Sequence, residues 1–159
     1  MKRIFLVVFG LAAIACAGLV LSANAQKARP AITAETAMQQ PLYSDYRGVR
    51  LGMTPQEVRA KLGNPVLKDE ELDYFVFADN VTAQIAYDGA HKAKAISVDY
   101  PGGVGAPDYL AVVGSELDTR PDGSMFKLVR YESLGFWVSY NRTVGPTAIV
   151  SITIQKILG

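Results

Sequence analysis

The chain has 159 residues, with 16 Lys and Arg, 15 Asp and Glu, one His and one Cys, and a formal net charge of +1. A net charge this close to zero excludes nucleic-acid binding through bulk positive charge. Half of the residues are hydrophobic and 19% are charged, which excludes a disordered chain. One cysteine and one histidine exclude a disulfide framework and a Cys/His zinc site.

Residues 1–25 have the three-part layout of an export signal. Two basic residues open the segment, an uncharged apolar run follows over residues 4–21, and Ala23 and Ala25 provide the small side chains of a cleavage site. Cleavage before Gln26 predicts a periplasmic or secreted protein. The remaining chain would have 14 basic and 15 acidic residues and no cysteine.

Two other interpretations of this segment stay open. Residues 13–16 loosely match a lipobox, which would place a lipid on Cys16, although the residues after it are still apolar signal core. The apolar run is also nearly long enough to span a bilayer as an uncleaved anchor. The well-formed cleavage site favours a cleaved signal over both alternatives.

Residues 26–45 are rich in Ala, Gln, Thr and Pro and show no sustained apolar period. This composition predicts a flexible tether. We expect order to begin at Tyr46 and one domain to occupy residues 46–159.

The first predicted helix begins at Thr54, a capping residue followed by Pro at the first helical position and by Glu57, which completes a capping box. The helix ends at Gly63. Val58 and Leu62 form a narrow apolar stripe, so this short helix must pack on another element.

Three strand candidates follow this helix, and the same order recurs after a second helix candidate over residues 107–114. Apolar alternation between turn sequences predicts the strands, over residues 72–78, 81–88 and 93–100, then 125–131, 136–141 and 148–157. The two halves align at a shift of 51 positions, which a longer turn raises to 54 in the third strand. We predict an α+β fold of two tandem α-β-β-β units, 46–103 and 104–159, with an antiparallel sheet and short helices on one face.

The first predicted hairpin assigns aromatic side chains to two faces of the sheet. A two-residue turn at Asp79 and Asn80 would place Tyr74 opposite Ile85 on the core face. Phe75 and Phe77 would then point away from the core.

In the second predicted hairpin, a four-residue loop pairs Arg130 with Trp137, and the guanidinium would stack on the indole. Both hairpins together predict an apolar cluster on the non-core face, which is typical of a partner-binding surface. Its residues are Phe75, Phe77, Phe126, Leu128, Arg130 and Trp137. Two alternatives stay open: the tether covers the cluster, or the true register differs by one residue.

Neither a catalytic constellation nor a metal site is predicted. His91, the single imidazole, lies in a turn beside Lys92, without a nucleophile or an orienting partner. The acidic run at residues 68–73 has no calcium-loop pattern, and residues 102–105 lack the Lys-Ser/Thr of a phosphate loop. We expect no enzyme activity and no cofactor.

Residues 51–65, Leu-Gly-Met-Thr-Pro-Gln-Glu-Val-Arg-Ala-Lys-Leu-Gly-Asn-Pro, resemble the Gly-Met-Thr/Ser-x-x-Glu/Gln-Val-x-x-x-Leu-Gly-x-Pro motif of the SmpA/OmlA (BamE-like) family of outer-membrane assembly lipoproteins. The duplicated unit is similar to the fold of the secreted β-lactamase inhibitor protein. The chain differs from the family pattern by lacking a convincing lipobox and by its second copy of the unit. The resemblance implies a non-catalytic module that binds another envelope or secreted protein, with outer-membrane association as one option.

The leading hypothesis is therefore an exported, non-enzymatic protein-binding module of the bacterial cell envelope. One alternative is a small-ligand-binding or enzymatic domain with a pocket between the halves, near Tyr100, Pro101 and Tyr109. Another is a secreted enzyme inhibitor that would use the turn at residues 142–147.

Overall fold

The computed structural model describes residues 40–157, so the predicted export signal and most of the predicted tether lie outside the described residues. These residues contain two short α-helices, α1 (Pro55–Leu62) and α2 (Tyr109–Val113), and one turn of 3-10 helix (Glu132–Leu134). The strands are β1 (Leu67–Lys68), β2 (Leu72–Val76), β3 (Thr82–Tyr87), β4 (Ala93–Pro101), β5 (Asp118–Thr119), β6 (Met125–Tyr131), β7 (Phe136–Arg142) and β8 (Ile149–Lys156). No helix within residues 40–157 has the length and apolar character needed to cross a membrane.

All eight strands form one antiparallel sheet in the order β1-β2-β3-β4-β8-β7-β6-β5. The prediction of an α+β fold with an antiparallel sheet is thus confirmed. The six long strands lie close to their predicted ranges, whereas the two-residue edge strands β1 and β5 were not predicted. Strands this short carry no alternation that a sequence pattern could reveal.

Helix α1 begins as its sequence predicts. The Thr54 hydroxyl accepts a hydrogen bond from the Glu57 N–H (3.3 Å), and the Glu57 carboxylate accepts one from the Thr54 N–H (2.8 Å). The helix ends at Gly63, whose φ of +88° is in the region that favours glycine. Val58 is fully buried and fixes the helix against the sheet.

One face of the sheet carries the core, and both helices contribute to it. Buried side chains on this face include Phe75, Ile85, Tyr87, Ile96, Val98, Tyr100, Val138, Tyr140, Val150, Ile152 and Ile154. Val58 of α1 and Val112 of α2 are buried among them. Tyr43 also packs against this core, so the packed chain begins before the predicted start at Tyr46.

The predicted register of the first hairpin is wrong by one residue. Phe75 pairs with Ala83, whereas a two-residue turn would have placed Tyr74 opposite Ile85. The turn contains three residues instead of two, and Asn80 takes the left-handed φ (+61°) that such a turn requires. Because side chains alternate along a strand, a one-residue slip transfers each one to the opposite face.

This register places two predicted surface residues on the core face. Phe75 is 1% exposed. Phe77 is half-buried beneath the Arg47 guanidinium, which lies 4.1 Å from the centroid of its ring. The assignment of Phe75 and Phe77 to the non-core face is therefore corrected.

The predicted register of the second hairpin is confirmed. Arg130 pairs with Trp137 and Tyr131 pairs with Phe136, across a loop that ends at Gly135 in the left-handed region (φ +70°). Phe136 consequently lies on the core side against the ring of Tyr131, 5.2 Å between centroids, and Trp137 lies on the opposite face.

Candidate partner-binding face

The sheet face opposite the helices carries three cross-strand rows of side chains, which together we call the open face. Each row takes one residue from each of the strands β2, β3, β4, β8, β7 and β6. The rows are Leu72-Ala86-Ala95-Gln155-Trp137-Arg130, Tyr74-Gln84-Ser97-Thr153-Ser139-Leu128, and Val76-Thr82-Asp99-Ser151-Asn141-Phe126.

Burial distinguishes the open face from the core face. Among the residues of the three rows, only the small Ser139 is buried, at 8% exposure. The large side chains of the rows are half-buried or exposed, and Val76 reaches 49%. Within residues 40–157, the open face is therefore accessible to solvent.

Every row is apolar near both ends, and the second and third rows are polar in the middle. One apolar flank lies entirely on β2 and consists of Leu72, Tyr74 and Val76; the other lies on β6 and β7 and consists of Phe126, Leu128 and Trp137. Apolar patches framed by polar groups are typical of surfaces that bind other proteins.

The polar middle of the open face is internally hydrogen-bonded between β4 and β8. The hydroxyls of Ser97 and Thr153 lie 2.9 Å apart, and the Ser151 hydroxyl donates to the Asp99 carboxylate at 2.6 Å. These bonds fix the rotamers of the central side chains. When a partner docks here, these side chains of the open face therefore lose little additional conformational entropy.

The contacts of arginine side chains on the β6 and β7 flank differ from the prediction. The Arg120 guanidinium lies 4.7 Å from the centroid of the Phe126 ring. Arg130 instead donates through Nε to the Glu132 carboxylate, so the predicted stacking of Arg130 on Trp137 is not what holds the indole.

The structure brings together four of the six predicted surface residues: Phe126, Leu128, Arg130 and Trp137 lie on the open face. Their role in binding stays a prediction. Sequence reasoning missed the β2 flank of Leu72, Tyr74 and Val76. Asn80 was the available signal, since Asn tolerates the left-handed conformation that a three-residue turn requires.

The remaining candidates for chemistry lie apart from the open face. His91 is in a turn with φ +53°, and its backbone N–H donates to the backbone carbonyl of Asp88 (2.8 Å). Among residues 40–157, no group of three or more His, Cys, Asp or Glu side chains is arranged to hold a metal ion. Near the predicted pocket between the halves, Tyr100 is buried and Tyr109 packs edge-on against Tyr140, with 6.3 Å between centroids.

No protein-family model matches the chain, and no curated protein matches it. Among solved structures, the chain is similar to the crystal structure of a DUF4309 family protein, YjgB, from Bacillus subtilis. The sequence identity is 13% and the TM-score 0.44, over 77% of this chain and 91% of that one. The resemblance to the SmpA/OmlA family stays a prediction.

Proposed function

We propose that this chain is an exported, non-enzymatic module of the bacterial cell envelope that binds another envelope or secreted protein through the open face. The observation that carries the proposal is the arrangement of the open face: two solvent-accessible apolar flanks lie on either side of a centre that is polar and hydrogen-bonded in the second and third rows. The flanks supply the apolar contacts of an interface, and the centre supplies polar groups whose mutual hydrogen bonds already hold them in place.

The size of the open face supports a protein as the ligand. Six strands spaced about 4.8 Å apart, crossed by three rows about 7 Å apart, form a surface of roughly 600 Å². A standard protein–protein interface buries about 800 Å² on each partner. A partner that also contacts the neighbouring loops would reach that value.

The envelope location rests on the sequence. Residues 1–25 have the layout of an export signal, and residues 51–65 resemble the SmpA/OmlA motif. The capping box gives Thr54 and Glu57 of that motif a helix-forming role. In this proposal the motif therefore positions α1, and the open face performs the binding.

We further propose that the domain is two tandem copies of one unit, related by a pseudo-twofold axis. Val98 of β4 pairs with Ile152 of β8, 54 positions along the chain. The same shift relates the two N-caps, Thr54 and Asp108. The sheet order, which runs inward from β1 to β4 and outward from β8 to β5, supports this relationship.

The shift between the proposed copies varies along the chain. The predicted shift of 51 relates the C-caps Gly63 and Gly114. In the sheet, Thr82 of β3 pairs with Asp99 of β4, and Ser139 of β7 pairs with Thr153 of β8. Asp99 and Thr153 are equivalent at the shift of 54. Thr82 and Ser139 are then equivalent too, which gives a shift of 57 for β3 and β7. The change from 54 to 51 follows from helix length, since α1 has eight residues and α2 has five. Loops of different length account for the shifts in the sheet.

Site-specific photocrosslinking in the producing cell tests the binding proposal. A photoreactive phenylalanine analogue would replace Leu128 on one flank or Tyr74 on the other. The control position is Leu110, which is 47% exposed on α2. We expect one discrete protein adduct from both open-face positions and none from the control.

Equal adduct yields at Leu110 and Leu128, or no adduct from either flank, would count against the open face as the binding surface. An adduct from only one flank would contradict an interface that spans the polar centre. Mass spectrometry of the adduct identifies the partner.

A further inference from the structure

A concavity of about 380 Å³ lies on the helix side of the sheet, opposite the open face. Its walls are Ser44 with residues 50–52, residues 134–136 at the start of β7, and the end of β8. Pockets that hold small ligands typically measure about 300–1,000 Å³. The concavity is thus large enough for a small molecule.

The inner surface of this concavity is apolar. Ile154 is 1% exposed, while Leu51 and Phe136 are half-buried and pack against the core. Leu134 stands at the edge with 51% exposure. A ligand with an apolar body would remove the exposed parts of Leu51, Leu134 and Phe136 from water.

Two cationic side chains stand at the rim. The guanidinium of Arg50 is 3.8 Å from the Asp45 carboxylate, and this side chain is 67% exposed. The Lys156 ammonium lies 3.0 Å from the Asp88 carboxylate and donates a hydrogen bond to it. Arg50, with a long and solvent-exposed ion pair, therefore has donors free to take a second anionic group.

We propose that this concavity binds a small amphiphile with one anionic headgroup, of the class of medium-chain fatty-acid carboxylates. The carboxylate would pair with Arg50, and the alkyl chain would cover Leu51, Leu134 and Phe136. The site is on the other side of the sheet from the open face, so it is independent of the proposed partner-binding function.

Calorimetric titration of the purified protein with dodecanoate, below its micelle concentration, tests the assignment, with dodecanol as the neutral ligand. We expect saturable binding of dodecanoate. Arg50→Gln should weaken it about tenfold or more, since a hydrogen bond to a charged group contributes about 1.5–3 kcal/mol. Dodecanol affinity should not change in this variant.

Two matched variants separate the site from general surface effects. Leu134→Glu places a negative charge at the rim, whereas Leu110→Glu places one on a residue of similar exposure on α2. We expect only Leu134→Glu to reduce dodecanoate affinity. No saturable binding, or equal effects of the two variants, would overturn the proposal.

Amide chemical shifts locate the bound ligand. Dodecanoate should shift the signals of Leu51, Phe136 and Ile154, and Trp137→Ala on the open face should leave dodecanoate affinity unchanged. Shifts confined to the β2 or β6 residues of the open face would place the ligand elsewhere and refute the assignment.

Discussion

Arg59 of α1 and Asp73 of β2 form a bidentate ion pair, with Nη2 2.7 Å from Oδ1 and Nε 2.9 Å from Oδ2. Asp73 is completely buried, and its Oδ2 also accepts a hydrogen bond from the Tyr87 hydroxyl at 2.8 Å. The hydrogen bonds that Arg59 donates to the Asp73 carboxylate raise the pKa of Arg59. This pair joins the first helix to the sheet at a charged position that the sequence pattern does not single out.

Loss of one partner of this pair should destabilise the fold. Arg59→Met leaves the Asp73 carboxylate buried without its counter-ion, which costs about 3 kcal/mol or more. Combining Arg59→Met with Asp73→Leu removes both charges, so the double variant should be more stable than the sum of the single effects by at least about 1 kcal/mol. Urea unfolding measures all four proteins. Additive effects would show that the pair does not couple α1 to the sheet.

Alkaline pH should destabilise the domain through buried tyrosines. Burial raises the pKa of Tyr46 to about 12, and it also raises the pKa values of Tyr43 and Tyr87. An unfolded tyrosine ionises near 10, so the stabilisation is present below about pH 10 and is lost as the pH rises toward the folded value. The melting temperature should therefore fall between pH 10 and pH 12.

Tyr46→Phe tests the origin of this pH dependence. The Tyr46 hydroxyl is buried and has no hydrogen-bond partner among the described residues, so its removal should leave the melting temperature at pH 8 unchanged or raised. The decrease in melting temperature between pH 8 and pH 11 should be smaller in this variant than in the unmodified protein. A large loss of stability at pH 8 would instead indicate that the hydroxyl has a favourable contact.

Two adjacent residues of β2 test the corrected register. Phe75 is buried on the core face, so Phe75→Ala should cost about 3–5 kcal/mol of the free energy of unfolding. Tyr74→Ala on the open face should cost less than about 1 kcal/mol. Chemical denaturation of the two variants gives the comparison. The reverse order would restore the two-residue turn and invert the faces of the hairpin.

Trp137→Ala should separate binding from folding. Truncating an aromatic side chain that a partner buries costs about 2 kcal/mol or more of binding free energy, so the photocrosslinked adduct at Leu128 should be lost. The melting temperature should change little. Phe136→Ala serves as the contrast, because it removes the contact with Tyr131 on the core side and should lower stability by about 2–3 kcal/mol.

Processing of the N-terminus can be checked directly. Mass spectrometry of the exported protein should show a chain that begins at Gln26, with or without cyclisation to pyroglutamate. A diacylated Cys16 would instead make the protein a lipoprotein and bring it closer to the SmpA/OmlA pattern. A retained residue 1–25 segment would favour the uncleaved anchor.

The sequence alone determined the elements whose signals are local. Thr54, Glu57 and Gly63 lie within one short segment and cap α1 as predicted. The inward alternation of Ile96, Val98 and Tyr100 also matches the prediction. Hydrogen bonds between near neighbours and a period of two residues depend little on the rest of the chain.

Tertiary structure decided the first hairpin and the burial of Asp73. Apolar residues occur on both alternations of β2, so the sequence pattern allowed either register, and the left-handed Asn80 determines which face enters the core. Asp73 can be buried only because Arg59 and Tyr87, each fourteen positions away, converge on it. A charge is stable in a core only with its partners in place, and packing rather than local pattern brings such partners together.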